Sequence, residues 1–171
     1  MSKLEGQIRI PSGCAISAVI SKTGEKMTGE KIIESMIPMH ERSNGLGGGF
    51  AGYGIYPEYK DFFALHIFFR DALSRKECEE YLKDKVEIVK QESIHVRKTP
   101  GIKDAPLIRR YFVAPMPCAL AASQLDENEY IMRIVIQINT DIAGAYVFSS
   151  GKNMGIFNAV GYPEDVGRFY R

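Results

Sequence analysis

Ile8-Arg9-Ile10-Pro11-Ser12-Gly13-Cys14-Ala15-Ile16-Ser17-Ala18-Val19-Ile20 is the stretch on which the reading of this fold turns. Pro11-Ser12-Gly13 interrupts regular structure, and Cys14 then opens a run in which Ile16, Ala18 and Ile20 alternate with Ala15, Ser17 and Val19. Small and β-branched residues alternating in this way predict a strand, and Ser21-Lys22-Thr23-Gly24 supplies the turn that stops it. Cys14 is thereby expected at the edge of a sheet, where a chain terminus can be exposed, with residues 1–13 as a polar leader.

A thiol in that position has a defined use if the Gly13–Cys14 bond is cut. The freed α-amine, with a pKa of about 8, serves as the general base for the thiol on the same residue, which is the N-terminal-nucleophile arrangement. The same cysteine also reads as a small buried hydrophobe on a strand, as most free cysteines are. The stretch by itself leaves both readings open.

Working outward, Thr28 to Ile37 predicts a helix capped by Thr28, with Glu30 in its first turn and Ile32, Ile33, Met36 and Ile37 on its buried face. Pro38 lacks an amide donor and should kink or end that helix before Arg42, delivering Arg42 and the glycines after it to one place. Gly47, Gly49 and Gly52 give a formal G-x-G-x-x-G match. A helix precedes it and Tyr53-Gly54-Ile55-Tyr56-Pro57 does not predict a helix after it, so the context of a dinucleotide site is missing. The expectation is instead a loop over Gly45–Gly54 whose backbone packs closely against the Cys14 strand.

Cys14-Ala15-Ile16, taken with Met36-Ile37-Pro38-Met39-His40-Glu41-Arg42-Ser43-Asn44-Gly45-Leu46-Gly47-Gly48-Gly49, resembles the class II glutamine amidotransferase domain of archaeal-type glutamate synthases. In that family a Cys-Gly-Ile strand carries the nucleophile and a helix leads into an Arg-Gly-x-Asp-Gly-x-Gly loop. Here Ala15 replaces the first glycine, and Ser43 and Asn44 replace Gly and Asp. Phe148 to Gly155 and Val160 to Val166 resemble later stretches of the same proteins. The resemblance implies an α+β fold, the N-terminal part of an αββα N-terminal-nucleophile sandwich, with residues 14–171 as an incomplete type 2 amidotransferase domain. It implies Cys14 as nucleophile and Arg42 beside the nucleophile's amine. It further implies glutamine as substrate, and partner synthase subunits that carry FMN and iron–sulfur clusters while this chain carries no cofactor. The family's Arg for the glutamine carboxylate and its oxyanion donors are expected in segments after Arg171. The alternative is a non-catalytic α+β scaffold or metabolite-sensing module related to the amidotransferases.

Composition bounds these readings. The chain has 171 residues, 45% of them hydrophobic and 25% charged, with a formal net charge of +1, enough for one well-cored domain. Lys and Arg are dispersed, so nothing supplies the concentrated field that nucleic acid or an anionic membrane surface requires. No apolar run approaches the ~20 residues that cross a bilayer, and residues 1–13 lack the apolar centre of a secretory signal. A cytoplasmic location is expected, and the three widely spaced cysteines, Cys14, Cys78 and Cys118, suggest neither a disulfide framework nor a zinc site.

The remaining chain predicts alternating elements. Phe62 to Phe69, bounded by Lys60-Asp61 and Arg70-Asp71, predicts a central strand buried on both faces, with His66 as a hydrogen-bonded core residue. Ser74-Arg75-Lys76-Glu77 predicts a capping box opening a helix to about Lys85, with Cys78, Tyr81 and Leu82 inward. Val86–Val89, Ile94–Val96 and Leu107–Val113 predict strands, and Ala114–Cys118 a Pro-rich loop. Asp126 caps a helix whose Ile131, Ile134, Val135 and Ile138 keep helical spacing. Ala145–Phe148 and Met154–Phe157 predict a hairpin turning at Ser150–Asn153, and a helix begins near Glu164.

Overall fold

The computed structural model describes residues 15–171, so Cys14 and the leader over 1–13 lie outside the described residues. The elements run α1 (Glu30–Met36), β1 (Gly48–Tyr53), β2 (Phe63–Phe69), α2 (Ala72–Lys83), β3 (Val86–Ser93), β4 (Leu107–Pro115), α3 (Pro117–Ser123), α4 (Glu127–Asp141), β5 (Ala145–Lys152), β6 (Met154–Ala159) and α5 (Pro163–Phe169). Helices and antiparallel strands are segregated, which is the α+β class the sequence predicts. Among the described residues no helix is long and apolar enough to cross a membrane.

The chain divides into two units. The first comprises residues up to Phe50, Val96–Lys103 and Asn158–Arg171, and the second Ala51–His95 and Asp104–Phe157. The chain passes from one unit to the other within β1 and β6 and also on either side of Val96–Lys103, and β1 and β6 form a two-stranded sheet.

In the second unit a four-stranded sheet runs in the order β3-β4-β2-β5. Each neighbouring pair is antiparallel, and the sequence order β2-α2-β3-β4-α4-β5 makes this two split βαβ units, the ferredoxin-like arrangement. β2 lies in the middle because both of its faces are apolar, and every residue of Phe63–Phe69 but Phe68 is buried. Phe63, Leu65, Ile67 and Phe69 point to one side, where they meet Cys78 and Leu82 of α2 and Ile131, Ile134 and Ile138 of α4. The opposite side holds Ala64 and His66, packed with Tyr56, Phe112, Phe148 and Phe157.

Several boundaries differ from the sequence reading. Ala15–Ile20 form no strand: Ile16 is 91% and Ile20 84% exposed, so nothing covers the apolar side of the alternation, and Ser17 Oγ instead lies 2.7 Å from Ser35 Oγ of α1. α1 begins after Gly29 with no side-chain cap, so Thr28 does not cap it. It ends at Met36, where Pro38 forces a change to a 3-10 helix over Ile37–Arg42. The glycine-rich loop contains strand β1, because Gly48–Tyr53 pair with β6. α2 is capped by Asp71, three residues before the predicted cap. Asp71 Oδ1 accepts from the Ser74 amide at 2.8 Å while Ser74 Oγ accepts from the Asp71 amide, so the capping box is Asp71/Ser74.

β3 is one strand through Ser93; as an edge strand it tolerates the polar Lys90–Ser93. Ala114–Cys118 form no loop: β4 runs to Pro115, and Pro117 stands in the first turn of α3, where its missing amide costs nothing, so Cys118 lies on a helix. β5 and β6 do not pair as a hairpin. β5 spends its hydrogen bonds on β2, and Asn153, at φ 51, turns the chain so that its carbonyl accepts from Gly54 N–H at 2.7 Å and its Oδ1 from Tyr56 N–H at 2.9 Å. Ser149 is a buried strand residue paired with His66, and Ser150, expected in the turn, also lies on β5.

Candidate functional site

In the first unit, the 3-10 helix created by Pro38 presents His40 and Arg42 from its last turn. Arg42 is exposed and makes no hydrogen bond or ion pair among the described residues. The loop after it is held by its own polar side chains: Ser43 Oγ accepts from Gly45 N–H at 3.2 Å and Asn44 Oδ1 from Leu46 N–H at 3.1 Å. Gly45, at φ 72, faces the Tyr162 ring so closely that a Cβ there would lie 3.1 Å from it.

His40 stacks on the same Tyr162 ring at 4.3 Å, and its Nδ1 lies 2.6 Å from Glu164 Oε1. A carboxylate only accepts, so Nδ1 carries the proton of this bond. Among the described residues Glu164 Oε2 is buried without a hydrogen-bond partner. A carboxylate thus orients the His40 imidazole, and Arg42 follows in the same turn of the 3-10 helix. The Met36–Gly49 and Val160–Val166 stretches, distant in sequence, meet here.

A second polar cluster lies on the side of the β3-β4-β2-β5 sheet away from α2 and α4. His66 is wholly buried, with Nδ1 2.9 Å from the Ile156 carbonyl and Nε2 2.9 Å from Tyr56 Oη. Since a carbonyl only accepts, Nδ1 donates and Nε2 accepts from the Tyr56 hydroxyl; Tyr56 Oη in turn accepts from Arg110 at 2.8 Å. Arg110 is paired with Glu92, which Lys90 also approaches at 3.3 Å. The hydrogen bonds therefore run in one direction, from Arg110 through Tyr56 and His66 to the backbone of β6. Burial, with a smaller push from the Arg110 charge, lowers the His66 pKa to about 4, so the ring is neutral. Gly155 permits this packing, because a Cβ would lie 2.6 Å from His66 Cε1 and 2.8 Å from Tyr56 Oη. Every polar atom is satisfied and no solvent reaches His66, which makes it the core residue expected from the sequence.

Of the predicted site residues, Arg42 is on the surface of the first unit and Cys14 lies outside the described residues. Cys78 is buried, and burial, helped by the charges of Glu79 and Glu77, pushes its thiol up to about 12, consistent with an inert core residue. Cys118 is exposed on α3. Among the described residues no three His, Cys, Asp or Glu side chains gather to hold a metal. His40 lies inside the Met36–Gly49 stretch, near Pro38 and Arg42, and Tyr162 and Glu164 lie inside Val160–Val166, but nothing local in either stretch joins them.

No family model matches the chain. It is 43% identical over 159 residues to a protein of Archaeoglobus fulgidus described as an uncharacterized protein, an alignment that covers 92% of this chain and 42% of that one. The chain therefore spans less than half the length of the curated relative it matches.

Proposed function

We propose that this chain is the amino-terminal part of the glutamine amidotransferase component of a glutamate synthase. Cys14, freed at its amine, attacks the side-chain amide carbon of glutamine, and ammonia leaves as a γ-glutamyl thioester forms. Water then hydrolyses the thioester to release glutamate. Arg42 lies beside the nucleophile's amine in this reading, and the ammonia passes to synthase subunits that carry FMN and iron–sulfur clusters. The first unit, with β1 and β6, begins an αββα N-terminal-nucleophile sandwich, and the ferredoxin-like unit is an insertion between β1 and β6.

The observation that carries this reading is the meeting of two of the family-like stretches, Met36–Gly49 and Val160–Val166, in the first unit, while Phe148–Gly155 lies in the second. His40 bonds Glu164, Gly45 packs on Tyr162, and a Cβ on Gly48 would lie 3.5 Å from Pro163. Stretches matched separately on sequence support a common origin most strongly when they also fold against each other.

The test is ammonia release from glutamine by protein extended through the segments expected after Arg171. The expected result is turnover with Cys14 as the mature amino terminus, lost in Cys14→Ser, and an electrophilic glutamine analogue bound to Cys14 alone. An active species that retains residues 1–13, or label on Cys118, overturns the mechanism. The 171-residue chain by itself is expected to show no appreciable turnover, since removal of a single oxyanion donor already costs about 10²–10³ in rate.

A further inference from the structure

A recess of about 730 Å³ in the second unit lies outside both clusters, bounded by the end of β2, the turn at Asp104–Pro106 and the start of β5. That volume falls within the range of small-molecule sites. Arg70 and Asp104 line it with opposite charges, and Phe68 and Tyr146 with aromatic surface. The Arg70 guanidinium uses only Nε, which donates to Asp71 at 3.1 Å, so its two terminal nitrogens make no hydrogen bond among the described residues. Asp104 is exposed and also makes none.

The Arg70 wall is fixed by Gly144. The Arg70 amide donates to the Gly144 carbonyl at 2.8 Å, and a Cβ on Gly144 would lie 3.1 Å from Arg70 Cβ and 3.2 Å from its Cζ. Gly144, at φ 89, is thus the residue that lets the arginine lie along the recess. Phe68 stacks on Phe148 at 3.9 Å, which holds its ring in place, while Tyr146 is 55% exposed.

We propose that this recess binds a free α-amino acid, with its carboxylate on Arg70, its ammonium on Asp104 and its side chain against Phe68 and Tyr146. A simple anion is disfavoured by Asp104 and Asp71, and a simple cation by Arg70. A molecule that bears both charges on one carbon satisfies the two free groups together. The planar guanidinium suits a carboxylate through two parallel hydrogen bonds, and the rings accept apolar side-chain surface. The site shares no residue with the Cys14 and Arg42 chemistry and goes beyond that reading.

The experiment is a titration of the full protein with free amino acids, glutamine and glutamate included, followed by calorimetry and by the amide resonances of Arg70, Gly144 and Tyr146. A carboxylic acid without an amine and an amine without a carboxylate are run alongside. At least one amino acid is expected to saturate with a Kd of roughly 10⁻⁵–10⁻³ M, and both singly charged compounds to bind at least about tenfold more weakly. Arg70→Gln and Asp104→Asn, both at exposed side chains, should each weaken binding about tenfold, whereas Cys14→Ser and Arg168→Gln leave it unchanged. Because Cys14→Ser abolishes ammonia release and spares this binding, failure of one reading is distinguishable from failure of the other. Absence of saturation by every amino acid at about 20 mM, equal binding of the acid lacking an amine, or undiminished binding by Arg70→Gln overturns the proposal.

Discussion

His66 links the acid sensitivity of the protein to a single ring. The folded pKa is about 4 against 6.5 for the free side chain, so between those values the unfolded chain binds more protons than the folded one. Its contribution is complete above about pH 6.5 and is lost as the pH falls toward 4, by on the order of 3 kcal/mol. Urea midpoints taken from pH 7.5 down to 4.5 should fall accordingly, and His66→Leu should flatten that slope. The same variant leaves the Tyr56 hydroxyl and the Ile156 carbonyl without their partner, for an expected loss of about 2–4 kcal/mol at pH 7.5; an unchanged slope would refute the assignment. Gly155→Ala tests the packing of the same ring, which is held at both nitrogens and cannot move aside. About 2 kcal/mol or more should be lost in thermal or urea unfolding. Gly47→Ala, whose nearest neighbour to a new Cβ is a carbonyl at 4.0 Å, should change stability little. That His66 is core was legible from the apolar run around it. Its connection to Arg110 was not, because it depends on the register that sets those two residues opposite each other across β2 and β4. The His40–Glu164 pair was hidden for the same reason, being long-range and made by a fold that local pattern does not encode.

At the level of elements, α4 and β2 were readable because burial imposes a period on them: isoleucines at helical spacing over α4, and an unbroken apolar run for a strand covered on both faces. The β5–β6 hairpin was misread because local alternation identifies strands but not their partners. Edges show a further element-scale device. β5 borders the sheet, and Asn139 of α4 reaches it with both ends of its amide, donating to the Val147 carbonyl at 3.1 Å and accepting from the Val147 amide at 2.6 Å. The side chain stands in for a further strand. Asn139→Ala should therefore cost about 1–2 kcal/mol and leave a backbone pair open to another chain, seen as concentration-dependent association in sedimentation relative to the parent. A variant that sediments as the parent does at every concentration would show that this edge needs no such cover. At the other edge β3 carries a bulge between Ile88 and Lys90, and a lysine at that bulge discourages strand addition.

Across the whole molecule, the ferredoxin-like unit has its own core, in which α2 and α4 close one face of the sheet and the Tyr56–His66–Phe112 group fills the other. A fragment covering 51–157 should on that basis unfold cooperatively and keep the acid-dependent loss of stability assigned to His66, as followed by circular dichroism against urea. A fragment that lacks a cooperative transition would show that this core is insufficient without the remaining chain. Composition indicated a chain long enough for a core but could not show that the core belongs to one unit of two, since apolar content records how much is buried and not where the chain returns. The point of return is the bond from Gly54 N–H to the Asn153 carbonyl, 2.7 Å long. The stretch 55–152 leaves and re-enters there, yet Val96–Lys103 within it belong to the first unit, where the Arg97 amide donates to the Phe169 carbonyl at 2.8 Å. Exchanging the whole stretch for another module would strip these residues from the first unit as well, so its sequence answers to two cores at once.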